Sequence, residues 1–163
     1  MFFESDDLIA VYRTTLAFDQ TDVTTRVKAR GEYALSFRFR SENAVLSRNG
    51  KDFEVKTGDL AFVPTVSYVR TAKIDDLAAI HFTLVNASFG EIETFTPENP
   101  ERFAELFRKA LSAPSDRYLC QSVLYEILAL IREIKRTCSI VIMISHNMDE
   151  VAANCNRVAV MSE

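Results

Sequence analysis

The chain reads as a mostly β protein that closes into a barrel and then turns to helix, and three observations carry that expectation. Residues 49 to 86 hold a run of strand-length apolar segments joined by turns, with no helical period between them, so their pairing must be antiparallel. Residues 33 to 40 alternate cleanly, with Tyr33, Leu35, Phe37 and Phe39 on one face and Ala34, Ser36, Arg38 and Arg40 on the other. After Phe95 the apolar spacing changes to that of an amphipathic helix.

The elements follow in order. Residues 8 to 18 are rich in β-branched and aromatic types and read as an opening strand, with residues 19 to 22 as a polar turn and residues 24 to 28 leaving the period undecided. Arg30-Gly31-Glu32 breaks the chain before the alternating strand. Residues 44 to 48 and 51 to 55 flank Asn49-Gly50, the two-residue hairpin turn in which both central positions accept positive φ. Thr57-Gly58-Asp59 punctuates the next break, and residues 60 to 63 form a short apolar strand that stops at Pro64, which has no N–H for a ladder. Two further strands, residues 68 to 72 and 78 to 85, lie across a turn at Asp75-Asp76. That makes about eight strands, the number that closes a barrel whose interior holds side chains or one small ligand.

Asn99-Pro100-Glu101 opens a helix: Asn caps free N–H groups, Pro sits where its missing donor costs nothing, and the acid meets the positive helix end. Phe103, Leu106, Phe107, Ala110 and Leu111 share one side. Residues 113 to 116 end that helix and start a second, with Ser115 as N-cap. In residues 117 to 136, Val123, Ile127, Leu130 and Ile134 follow four-three-four spacing, and Leu119, Leu124, Leu128 and Ile131 widen the stripe. So broad a stripe calls for two covering surfaces, one of them the barrel.

At 163 residues the chain buries one core with an appendage, and 48% hydrophobic with 26% charged residues is ordinary for a globular protein. A net charge of −4 argues against the positive field that drives non-specific nucleic-acid binding. Met1-Phe2-Phe3 runs at once into Glu4, Asp6 and Asp7, unlike a signal peptide, and the longest apolar run, residues 140 to 144, falls far short of a membrane span. Cys120, Cys138 and Cys155 form no Cys-x-x-Cys pair. The expectation is a cytoplasmic protein without membrane insertion.

Asn49-Gly50-Lys51, then Gly58-Asp59-Leu60-Ala61-Phe62-Val63-Pro64, then Ile80-His81-Phe82 recur in an order that resembles the cupin barrel, and more narrowly the effector-binding domain of AraC-type transcription regulators. The resemblance spans residues 1 to 136. It implies a cupin-like barrel (a double-stranded β-helix or jelly roll) over residues 1 to 98 and a helical pair over residues 99 to 136. It also implies a small-molecule effector and a homodimer joined through Leu119, Val123, Ile127, Leu130 and Ile134. The competing reading buries that helix against its own barrel.

Helix-turn-helix motifs do not follow. Residues 137 to 163 instead resemble the last βαβ piece of an ABC transporter ATPase: a β-branched run, Ser145-His146, Asp149-Glu150-Val151-Ala152, and a closing Asn156-Arg157-Val158-Ala159-Val160-Met161. The family's switch histidine falls on His146. No P-loop accompanies it, since Gly31, Gly50, Gly58 and Gly90 stand far apart, and no Walker B strand does either. The resemblance implies a fusion of an ATPase fragment, whose strand at residues 140 to 144 would add to the barrel edge, swap into a partner, or stay disordered and sticky.

A catalytic cupin binds metal through two or three His and a carboxylate. Here the corresponding positions fall on Ser36 and Arg38 or Phe37 and Phe39, on Asn43, and on Val69 or Tyr68, and His81 alone cannot hold a metal. Neither Cys120 nor Cys138 has a histidine nearby in sequence to act as its base. The reading is therefore a non-enzymatic binding barrel without cofactor or metal, with an ABC transporter ATPase component and a metal-free cupin enzyme as alternatives. If Phe37 and Phe39 point inward the pocket is aromatic; if Arg38 and Arg40 do, it suits a carboxylate or phosphate. Tyr68, Arg70 and His81 are the candidates at the mouth. The bland arrangement fills the core with the phenylalanines and leaves the arginines in solvent.

Overall fold

The structure, a computed structural model, describes residues 1–138; the ATPase-like segment and its His146 lie outside the described residues. A single turn of 3-10 helix at Phe2–Glu4 precedes strands β1 (Ala10–Val27), β2 (Tyr33–Glu42), β3 (Ala44–Arg48), β4 (Lys51–Val55), β5 (Leu60–Val63), β6 (Tyr68–Leu84) and β7 (Glu93–Phe95). Helices α1 (Pro100–Ser112) and α2 (Arg117–Cys138) follow. All strand pairs are antiparallel, and the seven strands form one nearly closed, barrel-like sheet in the order β4-β3-β6-β2-β5-β7, with β1 on the other edge of β6. The mostly β fold with two C-terminal helices is the one the sequence predicts. Among the described residues, no helix is long and apolar enough to cross a membrane.

The Asn49-Gly50 hairpin forms as expected: Asn49 has φ 51°, Gly50 has φ 76°, and Arg48 pairs with Lys51. Two other predicted turns do not exist. Residues 19 to 22 and Asp75-Asp76 lie inside two long strands that pair with each other along their whole length, Gln20 opposite Asp75. The apolar alternation does break there, but as an irregularity within a continuous ribbon. Asp22 takes φ 51° between the pairs Thr21–Ile74 and Val23–Ala72.

Gly58 shows why the break before β5 needs glycine. Its φ is 88°, and a Cβ there would lie 3.1 Å from the Pro100 Cβ at the start of α1. Gly58→Ala should therefore destabilise the protein by about 1–3 kcal/mol, through left-handed strain and the contact with Pro100. Urea denaturation reads this directly, and an unchanged midpoint would contradict it.

One face of the sheet carries Leu35, Phe37, Leu60, Phe62, Ala78, Ile80 and Phe82, which form one core with Phe103 and Phe107 of α1 and with Val123, Leu124 and Ile127 of α2. The N-terminal phenylalanines belong to the same core: Phe2 stacks on Phe62 at 3.9 Å, and its backbone N–H donates to Glu93 at 2.6 Å. The opposite face, with Ala44, Leu46, Val55, Ala61, Val63 and Ala72, closes a second core.

The helix ends differ in detail from expectation. Pro100 and Glu101 open α1, but Asn99 makes no side-chain cap bond, and α2 is capped by Asp116, whose carboxylate accepts the Leu119 N–H at 3.0 Å, rather than by Ser115. The second surface for the broad stripe of α2 comes from within the chain. Val123, Ile127 and Leu130 are buried in this chain's own core, and Leu119 and Ile134 pack at its margin. Polar residues of the same helix cover the free edge of β1: Gln121 accepts the Tyr12 N–H and donates to the Ala10 carbonyl, both at 2.8 Å, and Tyr125 accepts the Ala10 N–H at 3.0 Å. Those bonds occupy strand-edge groups that would otherwise invite another chain.

Candidate functional site

Two depressions stand out. The larger, about 570 Å³, is an open groove between the N-terminal segment and α2, crossed by ion pairs from Arg132 to Asp6 at 3.2 Å and from Lys135 to Glu4 at 3.9 Å. The smaller, about 200 Å³, lies on the inner face of the barrel and is lined by Arg70, whose buried Nε–H has no hydrogen-bond acceptor among the described residues, which makes it the candidate site.

The long β1–β6 ribbon builds most of this cavity, and its irregularity at Asp22 is what shapes it. On β6 the lining residues are Tyr68 and Arg70 before the irregularity but Leu77, Ala79 and His81 after it; on β1 they are Phe18 and Gln20, then Thr25 and Val27. Both strands change parity at the same place, so both halves of the ribbon face one space. A strictly alternating pair would turn one half outward.

A second irregularity decides which side chains of β2 enter. The β2–β6 register shifts between Arg38–Leu77 and Arg40–Asp76, leaving Phe39 as the extra residue. Ser36 and Arg38 face the cavity, while Arg40 leaves that face and its side chain is largely exposed. Phe37 and Phe39, the candidates for an aromatic wall, do not line the cavity. They stand on the helical side, where Phe37 stacks on Phe107 with centroids 5.8 Å apart and Phe39 lies under the Arg108 guanidinium. Of the sequence candidates, Arg38, Tyr68, Arg70 and His81 are brought together.

At the centre is a residue that sequence reasoning assigned to a turn. Asp75 is fully buried and holds two guanidinium groups, Arg38 Nε at 3.1 Å from Oδ1 and Arg70 Nη1 at 3.5 Å from Oδ2, and it accepts the Ser41 hydroxyl at 2.9 Å. Arg38 also donates to the Ser36 hydroxyl and Arg70 to the Gln20 amide oxygen, while the Arg70 guanidinium sits 5.3 Å over the Phe18 ring. The network joins β1, β2 and β6. The Arg70 Nε–H is buried and has no acceptor among the described residues. Asp75 and Gln20 were missed because their sequence signal, acids and amides between apolar runs, is that of a loop, and Phe18 because it sits at the end of an apolar strand with nothing to mark it from core.

Burial sets the protonation states. It raises the Tyr68 phenol above its ordinary value, against the opposing pull of Arg38, Arg70 and Arg30, so the hydroxyl stays a proton donor. Burial lowers Arg38 while the adjacent Asp75 works to keep it charged. It also lowers His81 below its ordinary 6.5, helped by Arg30 and opposed by Glu32, whose carboxylate lies 3.4 Å from Nδ1.

A basic group with a depressed folded pKa binds fewer protons folded than unfolded. Stability is therefore whole above pH about 6.5 and falls as the pH drops from there through the folded pKa of His81. His81→Asn should flatten that part of the stability–pH curve relative to wild type. Parallel curves for the two proteins between pH 7 and pH 5 would refute this.

Among the described residues no three His, Cys, Asp or Glu side chains are grouped to hold a metal ion. The site offers guanidinium donors, a phenol, a neutral imidazole and an apolar wall, which is binding chemistry. No protein-family model matches the chain, and no curated protein matches it in sequence.

Proposed function

We propose that the chain is a non-enzymatic, ligand-sensing barrel of the kind that AraC-type regulators use to bind an effector, acting in the cytoplasm. The observation that carries the reading is the cavity of about 200 Å³ on the inner face of the barrel, which Arg38, Tyr68, Arg70 and His81 all line, with the two arginines held from behind by the buried Asp75. A barrel-like antiparallel sheet followed by two helices supports the reading, and the fold keeps both helices docked on the sheet rather than over the cavity. Recognition of a small molecule there would be reported by the β1–β6 ribbon, whose β1 edge is bonded to α2 through Gln121 and Tyr125. The resemblance of residues 137 to 163 to an ATPase piece belongs to the same proposal as the origin of that segment, and direct nucleic-acid binding has no place in it.

Self-association is part of this reading. Since the apolar stripe of α2 is used within the chain, a dimer through this helix would use its outer side, where Tyr118 is 92% exposed and Tyr125 40%. Sedimentation equilibrium of wild type and Tyr118→Glu would test that contact.

The binding proposal is tested by a thermal-shift screen of small metabolites on wild type and on Ala79→Leu, which fills the cavity. A hit that stabilises wild type and not the filled variant supports the reading; hits that stabilise both equally, or none at all, reject it.

A further inference from the structure

We propose that the cavity takes a small molecule with a single negative charge, a carboxylate, drawn by the guanidinium of Arg70. This rests on the cavity being a ligand site and adds the class of ligand. The chain as a whole is negative, at −4, yet this space is positive. Among the described residues, Arg38 and Arg70 share the one carboxylate of Asp75, which leaves one buried positive charge in excess there. Lys28 and Arg30 at the exposed mouth outnumber Glu32, so the approach carries the same sign.

A buried cation in excess is costly unless an anion joins it, and an ionised acceptor is the strongest partner for a guanidinium. Arg70 is held for such a partner. Its Nη2 is tied to Gln20 and its plane lies over Phe18, but its contact with Asp75 is long at 3.5 Å, and its Nε–H lacks an acceptor among the described residues. Asp75 Oδ2 likewise accepts no hydrogen bond among them. The remaining walls, Leu77, Ala79 and Val63, are apolar, and Tyr68 adds a hydroxyl. A cavity of about 200 Å³ has room for a carboxylate on a short chain or a single ring.

The experiment titrates the full chain, followed by amide resonances of the cavity strands, with two matched pairs: benzoate against benzamide, and glucuronate against glucose. The expected result is that at least one carboxylate moves the resonances of Ala79 and His81, binds about tenfold or more tighter than its neutral partner, and weakens with added salt. Arg70→Met should abolish the difference within the pair, and Arg70→Lys should retain part of it. Neutral and charged partners binding alike would overturn the anion proposal and leave the cavity reading standing. If none of the four compounds moves any cavity resonance, the anion proposal falls with the cavity reading itself. The wild-type pairs and the salt dependence decide the matter even if an arginine variant fails to fold.

Discussion

Asp75→Ala should lower the unfolding free energy by about 3–5 kcal/mol. The reason is what the substitution leaves behind. Among the described residues, Asp75 is the one carboxylate in ion-pair reach of both Arg38 and Arg70, whose side chains are almost fully buried. Its removal strands two guanidinium groups, from β2 and β6, with the Ser36 hydroxyl and the Gln20 amide as their remaining partners. The two cations then repel each other in a medium that screens them poorly. Replacing the whole set by apolar residues of similar size, as in Arg38→Met, Asp75→Leu, Arg70→Met, should recover most of the loss, because no uncompensated charge remains. Urea denaturation of the single and triple variants measures both. A single-variant loss below 1 kcal/mol would show that the pair distances do not reflect mutual stabilisation. A small anion added to Asp75→Ala should restore part of the stability, since it supplies the missing negative charge.

Phe107→Ala should cost about 3–5 kcal/mol, the range for truncating a fully buried phenylalanine. Phe107 is completely buried on α1 and stacks on Phe37 of β2, so it ties the helical layer to the sheet. Around it lie Phe103, Leu106 and Ala110 of the same helix and the buried stripe of α2. Phe107→Leu should cost less than half as much, because most of the volume returns. Equal losses for the two variants would mean that ring stacking, rather than cavity formation, dominates at this position.

The same pair of residues shows where sequence reasoning reached its limit. Alternation in residues 33 to 40 assigns Phe37 and Phe39 to one face and Arg38 and Arg40 to the other, and for Phe37 and Arg38 the structure agrees. Which face is inside cannot be read from a strand whose two faces are both buried. Phe37 finds α1, Arg38 finds Asp75, and both are nearly inaccessible. The extra residue at Phe39 then removes Arg40 from the inner face, and no feature of that sequence marks a bulge. In the same way the acidic pair at residues 75 and 76 reads as a turn because isolated acids favour turns. Only two arginines, one from a strand more than thirty residues earlier, make a buried aspartate tenable there.

The sequence by itself determined the things that depend on neighbours along the chain. These are the barrel-like β fold followed by two helices, the Asn49-Gly50 hairpin, the proline entry to α1, and the stripe of α2, because local periodicity and turn chemistry act over a few residues. Tertiary structure alone decided that β1 and β6 run unbroken past their polar centres, that Phe2 and Phe3 close the helical-side core, and that α2 spends its apolar face on its own barrel. It also gathered Arg38, Arg70 and Asp75 into one charge cluster, since a buried charge is tolerated only where residues distant in sequence converge to meet it.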